Sequence, residues 1–296
     1  MGIKEEHKCG FIAIVGAPNA GKSTLLNKII GEKIAITSKK PQTTRNRILG
    51  ILNRPSSQMI FVDTPGVHKT NKVFNARIVD TAISAMGDAD LILLVVDASE
   101  SDREAEDYTA TKLREFNKPV ILVLNKTDIV HKPALLEMIK KWTWKYEFLE
   151  IIPVSAEKGD QVDVLIDSME KALPESPALF PEDQLTDLPE RFLCAEIIRE
   201  KVFRLTGDEI PYATAVTIEV FSEEAKLVRI EAAIHVERDS QKGIIIGKGG
   251  LKLKEIGSAA RADLEVFLGT KVFLQTFVRV QKNWTRDGKS LRNFGY

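Results

Sequence analysis

Residues 16–23 read GAPNAGKS, which is glycine, four free positions, glycine, lysine and serine. Residue types at this spacing bind polyphosphate. Gly16 and Gly21 let backbone N–H groups close on phosphates, and Ala17, Pro18, Asn19 and Ala20 form the turn between them. Lys22 would reach the β- and γ-phosphates. The Ser23 hydroxyl, with Thr24 following it into a helix, would hold Mg2+. The bare stretch could also be an ordinary glycine-rich turn. The apolar run FIAIV before it and the helical pattern TLLNKII after it make it a phosphate cradle.

Four later segments complete a nucleotide site. Asp63, Thr64, Pro65, Gly66 and Val67 follow the apolar run MIFV. A carboxylate there can bind a water ligand of Mg2+, and the Gly66 N–H can sense a γ-phosphate because glycine permits close backbone approach. Asn125, Lys126, Thr127 and Asp128 end the run VILVL. The Asp128 carboxylate can accept hydrogen bonds from both N1–H and the 2-amino group of guanine. Adenine offers neither donor and would leave a buried carboxylate unpaired. Asn125 is expected to tie its loop to residues 16–23, and the Lys126 stem to pack on the base. Ala156, after Ser155, is expected to give its N–H to guanine O6. The polar stretch SKKPQTTRNR should hold a threonine that reaches Mg2+ only while a γ-phosphate keeps the loop closed. Thr44 is the first choice and Thr43 the second. The expected ligands are thus GTP or GDP, with Mg2+ held by Ser23, Thr44 and Asp63.

Apolar runs at 11–15, 48–52, 59–62, 91–96, 120–124 and 151–154 have strand length. Helical patterns at 24–30, 75–86, 104–116, 134–141 and 162–173 fall between most of them. This alternation predicts an α/β domain: a mostly parallel sheet, helices on both faces, and ligands at the carboxyl ends of the strands. Each motif lies just past a strand.

These pieces in this order resemble the translation-factor-type P-loop GTPases. The resemblance implies Mg2+-dependent hydrolysis of GTP to GDP and phosphate, with Lys22, Thr44 and Gly66 as catalytic residues. In Ras-like members the residue after Asp-x-x-Gly is a glutamine that orients the attacking water. Here it is Val67, which can neither donate nor accept a hydrogen bond, so slow intrinsic turnover is expected. A hydrophobic residue at this place is similar to the GTPases that lack the glutamine, many of which carry an asparagine where Asn19 stands. That likeness makes Asn19 a candidate ligand of K+ between the β- and γ-phosphates, in the place of an arginine finger. The plainer reading of Asn19 is a turn residue, and Arg45 is a weaker candidate finger.

At 296 residues the chain is long enough for two domains with a core in each. Lys+Arg and Asp+Glu balance at 42 each, so any surface for nucleic acid must be local. The two cysteines, Cys9 and Cys194, show no metal-ligand spacing and read as free thiols of a reducing cytosol. The opening residues lack the apolar core of a signal peptide, and the longest apolar runs are strand length. A soluble cytoplasmic protein is expected.

PESPALFPEDQ, rich in proline and acid, predicts a linker at 177–186 between a GTPase domain at 1–176 and a second domain at 187–296. In the second domain Leu188, Phe192, Ala195, Ile198, Val202 and Leu205 recur at helical spacing. Val216, Ile218 and Val220 should share one face of a strand, and Val228, Ile230, Ala232, Ile234 and Val236 one face of the next. A short apolar turn, GIII, leads to Gly247, Lys248, Gly249 and Gly250. A helix with Leu253, Ile256, Ala260, Leu264 and Phe267 inward and a strand at 271–280 follow. This order resembles an α+β type II KH domain. The resemblance implies a clamp on single-stranded RNA by residues 247–250. Lys248, Lys252 and Lys254, with Lys242, would form a basic edge, and Ile245 and Ile246, with Leu253, apolar walls for bases. A protein-interaction or purely structural KH-like domain is the alternative. The basic tail NWTRDGKSLRNFGY either folds back or contacts RNA.

One GTPase domain followed by one KH domain resembles the Era family over nearly the whole chain. That resemblance implies binding to the single-stranded 3′ region of 16S ribosomal RNA and to the 30S ribosomal subunit, with a role in 16S processing and 30S assembly. It also implies a monomer with peripheral association with the inner membrane. The alternative is a GTP-liganded RNA-binding or membrane-docking switch with negligible turnover. A GTPase of tRNA modification would lack the Gly247–Gly250 clamp.

Overall fold

The protein is described by a computed structural model at residues 7–38, 43–44, 47–66, 73–100, 102–207, 210, 214–287, 290–291 and 294, with backbone only at 73–78 and 286. Backbone contacts divide the chain into two units, Met1–Ala35 with Thr44–Asp187 and Ile36–Thr43 with Leu188–Tyr296.

The first unit runs β1 (Lys8–Val15), α1 (Lys22–Ile30), β2 (Ile48–Arg54), β3 (Ser57–Asp63), α2 (Val73–Asp88), β4 (Leu91–Asp97), α3 (Arg103–Phe116), β5 (Val120–Asn125), α4 (Lys132–Lys145), β6 (Glu150–Pro153) and α5 (Val162–Ala172). The sheet order is β2-β3-β1-β4-β5-β6, and β2 is its one antiparallel strand. Ala13 and Val15 enter a cluster with Ala82, Met86 and Leu113, while Ile12 and Ile14 on the other side of the pleat are as fully buried. Both faces of β1 are therefore covered, which is why its sequence is continuously apolar. Each buried Ile, Val, Leu or Met side chain among them stabilises the fold by roughly 1.5–3 kcal/mol. Chain order reverses around β1, with β3 on one side and β4 on the other. A crevice at its carboxyl end follows, and that is where ligands of such sheets bind.

Residues 177–186, expected as a linker, are bonded into this unit. Buried Gln58 donates to the Phe180 carbonyl (2.8 Å) and accepts from the Leu179 and Phe180 N–H groups (2.8 and 2.9 Å). The Ile51 N–H donates to the Leu185 carbonyl (2.8 Å).

The second unit contains α6 (Glu190–Leu205), β7 (Ala215–Glu224), β8 (Leu227–Val236), α7 (Asp239–Ile246), α8 (Leu251–Leu268) and β9 (Lys271–Val280). Its sheet is β7-β8-β9, with β8 antiparallel to β7 and parallel to β9. Cys194, Ile198, Ile230, Ala260 and Leu264 form one part of the core, and Val202, Ile234, Ile245 and Ile256 another. The expected alternation fails in β7. Ile218 lies opposite Ala232 but Val220 opposite Glu231, so Glu219 is the extra residue of a bulge. The slip turns Val220 outward (36% exposed) and brings Phe221 onto the core instead.

Helix α6 also differs from its pattern. Arg199 and Glu200, charged residues outside its apolar stripe, are 1% and 0% exposed. The segment Ile36–Thr43, which groups with this unit, bonds to both, and Glu196 and Arg204 of the same helix pair with Arg199 and Glu200. The Thr37 N–H and hydroxyl donate to Glu200 (3.0 and 3.2 Å), and Arg199 donates to the Thr43 carbonyl (2.6 Å). The C-terminal tail folds back: Trp284 is fully buried edge-on to Phe294, and the Thr285 hydroxyl donates to Glu237 (2.6 Å).

Candidate nucleotide site and nucleic-acid interface

The loop between β1 and α1 depends on its glycines. Gly16 (φ 149°) and Gly21 (φ 93°) hold backbone conformations that L side chains rarely adopt. A Cβ at Gly16 would run into the Val95 carbonyl of β4, and one at Gly21 into the Asn125 side chain. At Gly66 a Cβ would lie 2.7 Å from the Pro18 nitrogen, so the segment after β3 rests against this loop. Helix α1 has no side-chain cap and no acidic residue in its first turn. Its N-terminal N–H groups and positive dipole end are thus directed to an anion.

Three oxygens meet beside that helix. The Ser23 hydroxyl donates to Asp63 Oδ2 (2.7 Å) and lies 2.8 Å from Thr44 Oγ1, which is 3.4 Å from the same Asp63 oxygen. The other Asp63 oxygen, Oδ1, is buried with no hydrogen-bond partner. Two hydroxyls and one carboxylate, one of whose oxygens is buried without a partner, fit a hard divalent cation such as Mg2+. Thr44 is the threonine beside Ser23 and Asp63, while the Thr43 carbonyl accepts from Arg199. Buried Lys22 donates to the Gly16 and Ala17 carbonyls (3.1 and 2.8 Å).

Burial dominates the charges of this site. It pushes Asp63 up to about 6, against the opposing pull of Lys22, and brings Lys22 down to about 8, against the opposing effect of Asp63. A cation needs Asp63 ionised and a polyphosphate needs Lys22 protonated. Binding to the free protein should therefore weaken as pH falls through about 6 and as it rises through about 8. The pH profile of kcat/KM for GTP is expected to be bell-shaped, with limbs near those values belonging to the coupled pair. A profile flat from pH 5 to 9 would contradict this assignment.

Asn125 ends β5 and joins neighbouring loops: its amide nitrogen donates to the Ala20 carbonyl (2.8 Å) and its oxygen accepts the Ala156 N–H (3.0 Å). That second bond corrects an expectation. The Ala156 N–H is directed at Asn125 and not toward a base, because a buried amide must satisfy both of its ends. Lys126 is left-handed (φ 66°) and leads into the 3-10 turn Thr127–Ile129. The Ser155 hydroxyl donates to Asp128 Oδ1 (2.7 Å) and fixes the plane of that exposed carboxylate.

Thr64 and Pro65 are buried, and the Thr64 hydroxyl donates to the Ile14 carbonyl (2.7 Å). Their side chains hold the strand end and do not reach into the cradle. Ala17, Pro18 and Thr24 are half-buried, Ala20 is buried, and Asn19 is exposed with φ 63°. Val67 and Arg45 lie outside the described residues. One residue absent from the motif reading is Asp97, whose carboxylate accepts from the Lys126 ammonium. Its only signal is a carboxylate closing the apolar run of β4.

In the second unit α7 and α8 are joined by Gly247, Lys248, Gly249 and Gly250, a 3-10 turn whose three glycines have φ between 59° and 80°. A Cβ on Gly247 would lie 2.6 Å from Lys252 Cβ, whereas Gly249 and Gly250 have no atom within 4 Å of that position. Backbone is therefore open to a ligand at the tip. Lys248 and Lys254 are exposed, while Lys252 pairs with Glu255 (2.7 Å). The segment GIII is the last turn of α7, not a free turn. Its helical phase buries Ile245 completely with Ile234 and Ile256, so Ile245 is core and cannot wall a base. Ile246 and Leu253 are partly buried against the same cluster. The exposed apolar side chains flanking the clamp are Ile244 (46%) and Leu251 (68%).

Comparison with known proteins agrees with both halves. Residues 11–126 match the family described as 50S ribosome-binding GTPase, and residues 209–285 match the KH domain family. The chain is 54% identical to the GTPase Era of Geobacter metallireducens, with 98% of each chain covered. It is 47% identical to that of Staphylococcus haemolyticus, again over 98% of each. Among solved structures it is similar to an Aquifex aeolicus Era variant bound to GDP and aluminium tetrafluoride: TM-score 0.92, 44% identity, 98% of this chain and 99% of that one. It is equally similar to Era in complex with MgGDPNP and nucleotides 1506–1542 of 16S ribosomal RNA: TM-score 0.93, 43% identity, the same coverage.

Proposed function

The chain belongs to the Era family of GTPases, and we propose that it uses GTP hydrolysis to time its hold on the 3′ region of 16S ribosomal RNA. The observation that carries the hydrolytic half is the meeting of Ser23, Thr44 and Asp63 oxygens beside buried Lys22. Thr44 belongs to the polar stretch after α1, so only a closed stretch completes the set. Mg2+, when bound there, neutralises charge on the β- and γ-phosphates. Lys22 would add a cation to the same phosphates, and Gly66, which rests against Pro18 of the phosphate loop, is the expected γ-phosphate sensor. Val67, directly after Gly66, has no polar atom with which to orient water. Hydrolysis rests on positioning and charge, and intrinsic turnover is slow.

The RNA half is supported by the open glycine turn and by the relative that binds 16S nucleotides. That relationship supports a role for the protein in maturation of the 30S subunit. We place it in the cytoplasm as a monomer with peripheral contact at the inner membrane, which light scattering and cell fractionation test. A multiple-turnover GTPase assay with and without a 3′ fragment of 16S ribosomal RNA separates the readings. Turnover beyond one equivalent that responds to the RNA is expected. Phosphate release stopping at one equivalent would favour a GTP-liganded switch instead.

The exposed tip residue Asn19 is proposed as a ligand of K+. Hydrolysis should then be about tenfold or more faster in K+ than in Na+, and Asn19→Ala should abolish the difference, since a cation here replaces the charge of an arginine finger. Equal rates in the two salts would refute it.

A further inference from the structure

We propose that Asp97 is a positioning residue for the guanine nucleotide, acting through Lys126. The inference rests on the nucleotide site proposed above. Strands β4 and β5 are parallel with Asp97 in register beside Asn125, and the Ala98 N–H donates to the Asn125 carbonyl (2.9 Å). The Asp97 carboxylate therefore stands level with the Asn-Lys-Thr-Asp segment at the ligand edge of the sheet. Its orientation is fixed from its own side. Oδ1 accepts the Ser99 N–H (2.8 Å) and the Ser99 hydroxyl (2.5 Å), which leaves Oδ2 to accept from the Lys126 ammonium.

The pair is shielded. The Asp97 and Lys126 side chains are 13% and 33% exposed, so solvent screens this ion pair less than a surface one. Lys126 follows the Asn125 anchor directly and has a left-handed backbone that precedes the turn carrying Asp128. Its stem is the part of the site expected to lie on the base. A free lysine stem samples many rotamers, and holding it against a base costs affinity unless another group fixes it first. The Asp97 carboxylate supplies that fixing contact at the ammonium end and leaves the methylenes for the base. The residue recognises no part of the nucleotide itself; it preorganises the one that does.

The test uses the full chain and fluorescent GDP and GTP analogues. Asp97→Asn keeps the shape and removes the charge. It is expected to weaken both nucleotides about tenfold, the effect of losing a charge-assisted hydrogen bond, chiefly through faster release. KM for GTP should rise by the same factor while kcat changes less than twofold. Asp97→Glu should recover most of the loss. Lys126→Met should weaken binding on its own, and Asp97→Asn added to it should weaken binding no further. Parent-like binding by Asp97→Asn, or two single losses that multiply in the double variant, would overturn the proposal. Failure of the parent itself to prefer GDP over ADP would instead overturn the reading of the site on which it rests.

Discussion

Replacing Asp128 by asparagine is expected to lower affinity for GTP about a thousandfold and to shift preference to xanthosine triphosphate. The Ser155 hydroxyl holds Asp128 Oδ1, so the carboxylate is presented to the base in a fixed plane. It accepts from two donors of guanine, N1–H and the 2-amino group. An asparagine places an N–H₂ group against one of these donors, losing one hydrogen bond and opposing another. Sites that depend on such pairing reject a mismatched ligand by 10⁴–10⁵ in the strongest cases. A value near 10³ allows for the exposure of this carboxylate, which is not buried as the strongest discrimination requires. Xanthine carries an oxygen where guanine carries the amino group and would accept from the new amide. Competition with labelled GDP measures both effects, and a variant that retains GTP affinity within tenfold would show that base recognition lies elsewhere.

The second large effect concerns the glycine turn. Gly249→Asp is expected to reduce affinity for single-stranded RNA about a hundredfold with little change in stability. Gly249 has φ 59° and ψ 22°, a conformation that aspartate tolerates better than most residues, and no atom lies within 4 Å of the added Cβ. The fold should accept the side chain. Its charge, however, would stand where a phosphate must approach backbone N–H groups, beside Lys248 and Lys254. Parent binding should weaken steeply with salt. Binding by Gly249→Asp that matches the parent, or parent binding that ignores salt, would favour a protein-interaction role for this unit. Substitution at Gly247 would be uninformative, because its Cβ meets Lys252 and the turn itself would shift.

The motifs were legible because a strand, a tight loop and a helix start impose their own spacing on the chain. Gly16 to Ser23, Asp63, Asn125 and Asp128 all sit where apolar runs end, and an apolar run marks a buried parallel strand without help from distant residues. What escaped depends on partners far along the chain. Ile245 looked accessible because it lies in a short apolar stretch beside glycines, yet one helical turn of phase puts it in the core. Val220 followed the alternation of its strand until the bulge at Glu219 inverted it. Arg199 and Glu200 stand outside the apolar stripe of their helix, and their burial depends on Glu196, Arg204 and the segment Ile36–Thr43, partners that apolar spacing does not reveal. Residues 177–186 read as a linker by composition, since proline and acid cannot reveal that Gln58 takes their backbone hydrogen bonds. Asp97 has no motif of its own, and its role comes from the register of β4 with β5.

The central claim is that nucleotide state times the hold on RNA. The most direct measurement is the affinity of the full chain for a 3′ fragment of 16S ribosomal RNA, titrated at one salt concentration with Mg2+ and either GDPNP or GDP. If Thr44 completes its site only with a γ-phosphate and that closure is linked to the RNA-binding unit, binding with GDPNP should be at least tenfold tighter. By linkage, the RNA should then tighten GDPNP relative to GDP by the same factor. Equal RNA affinity in the two nucleotide states would contradict the claim and leave a GTPase and an RNA-binding unit that merely share a chain.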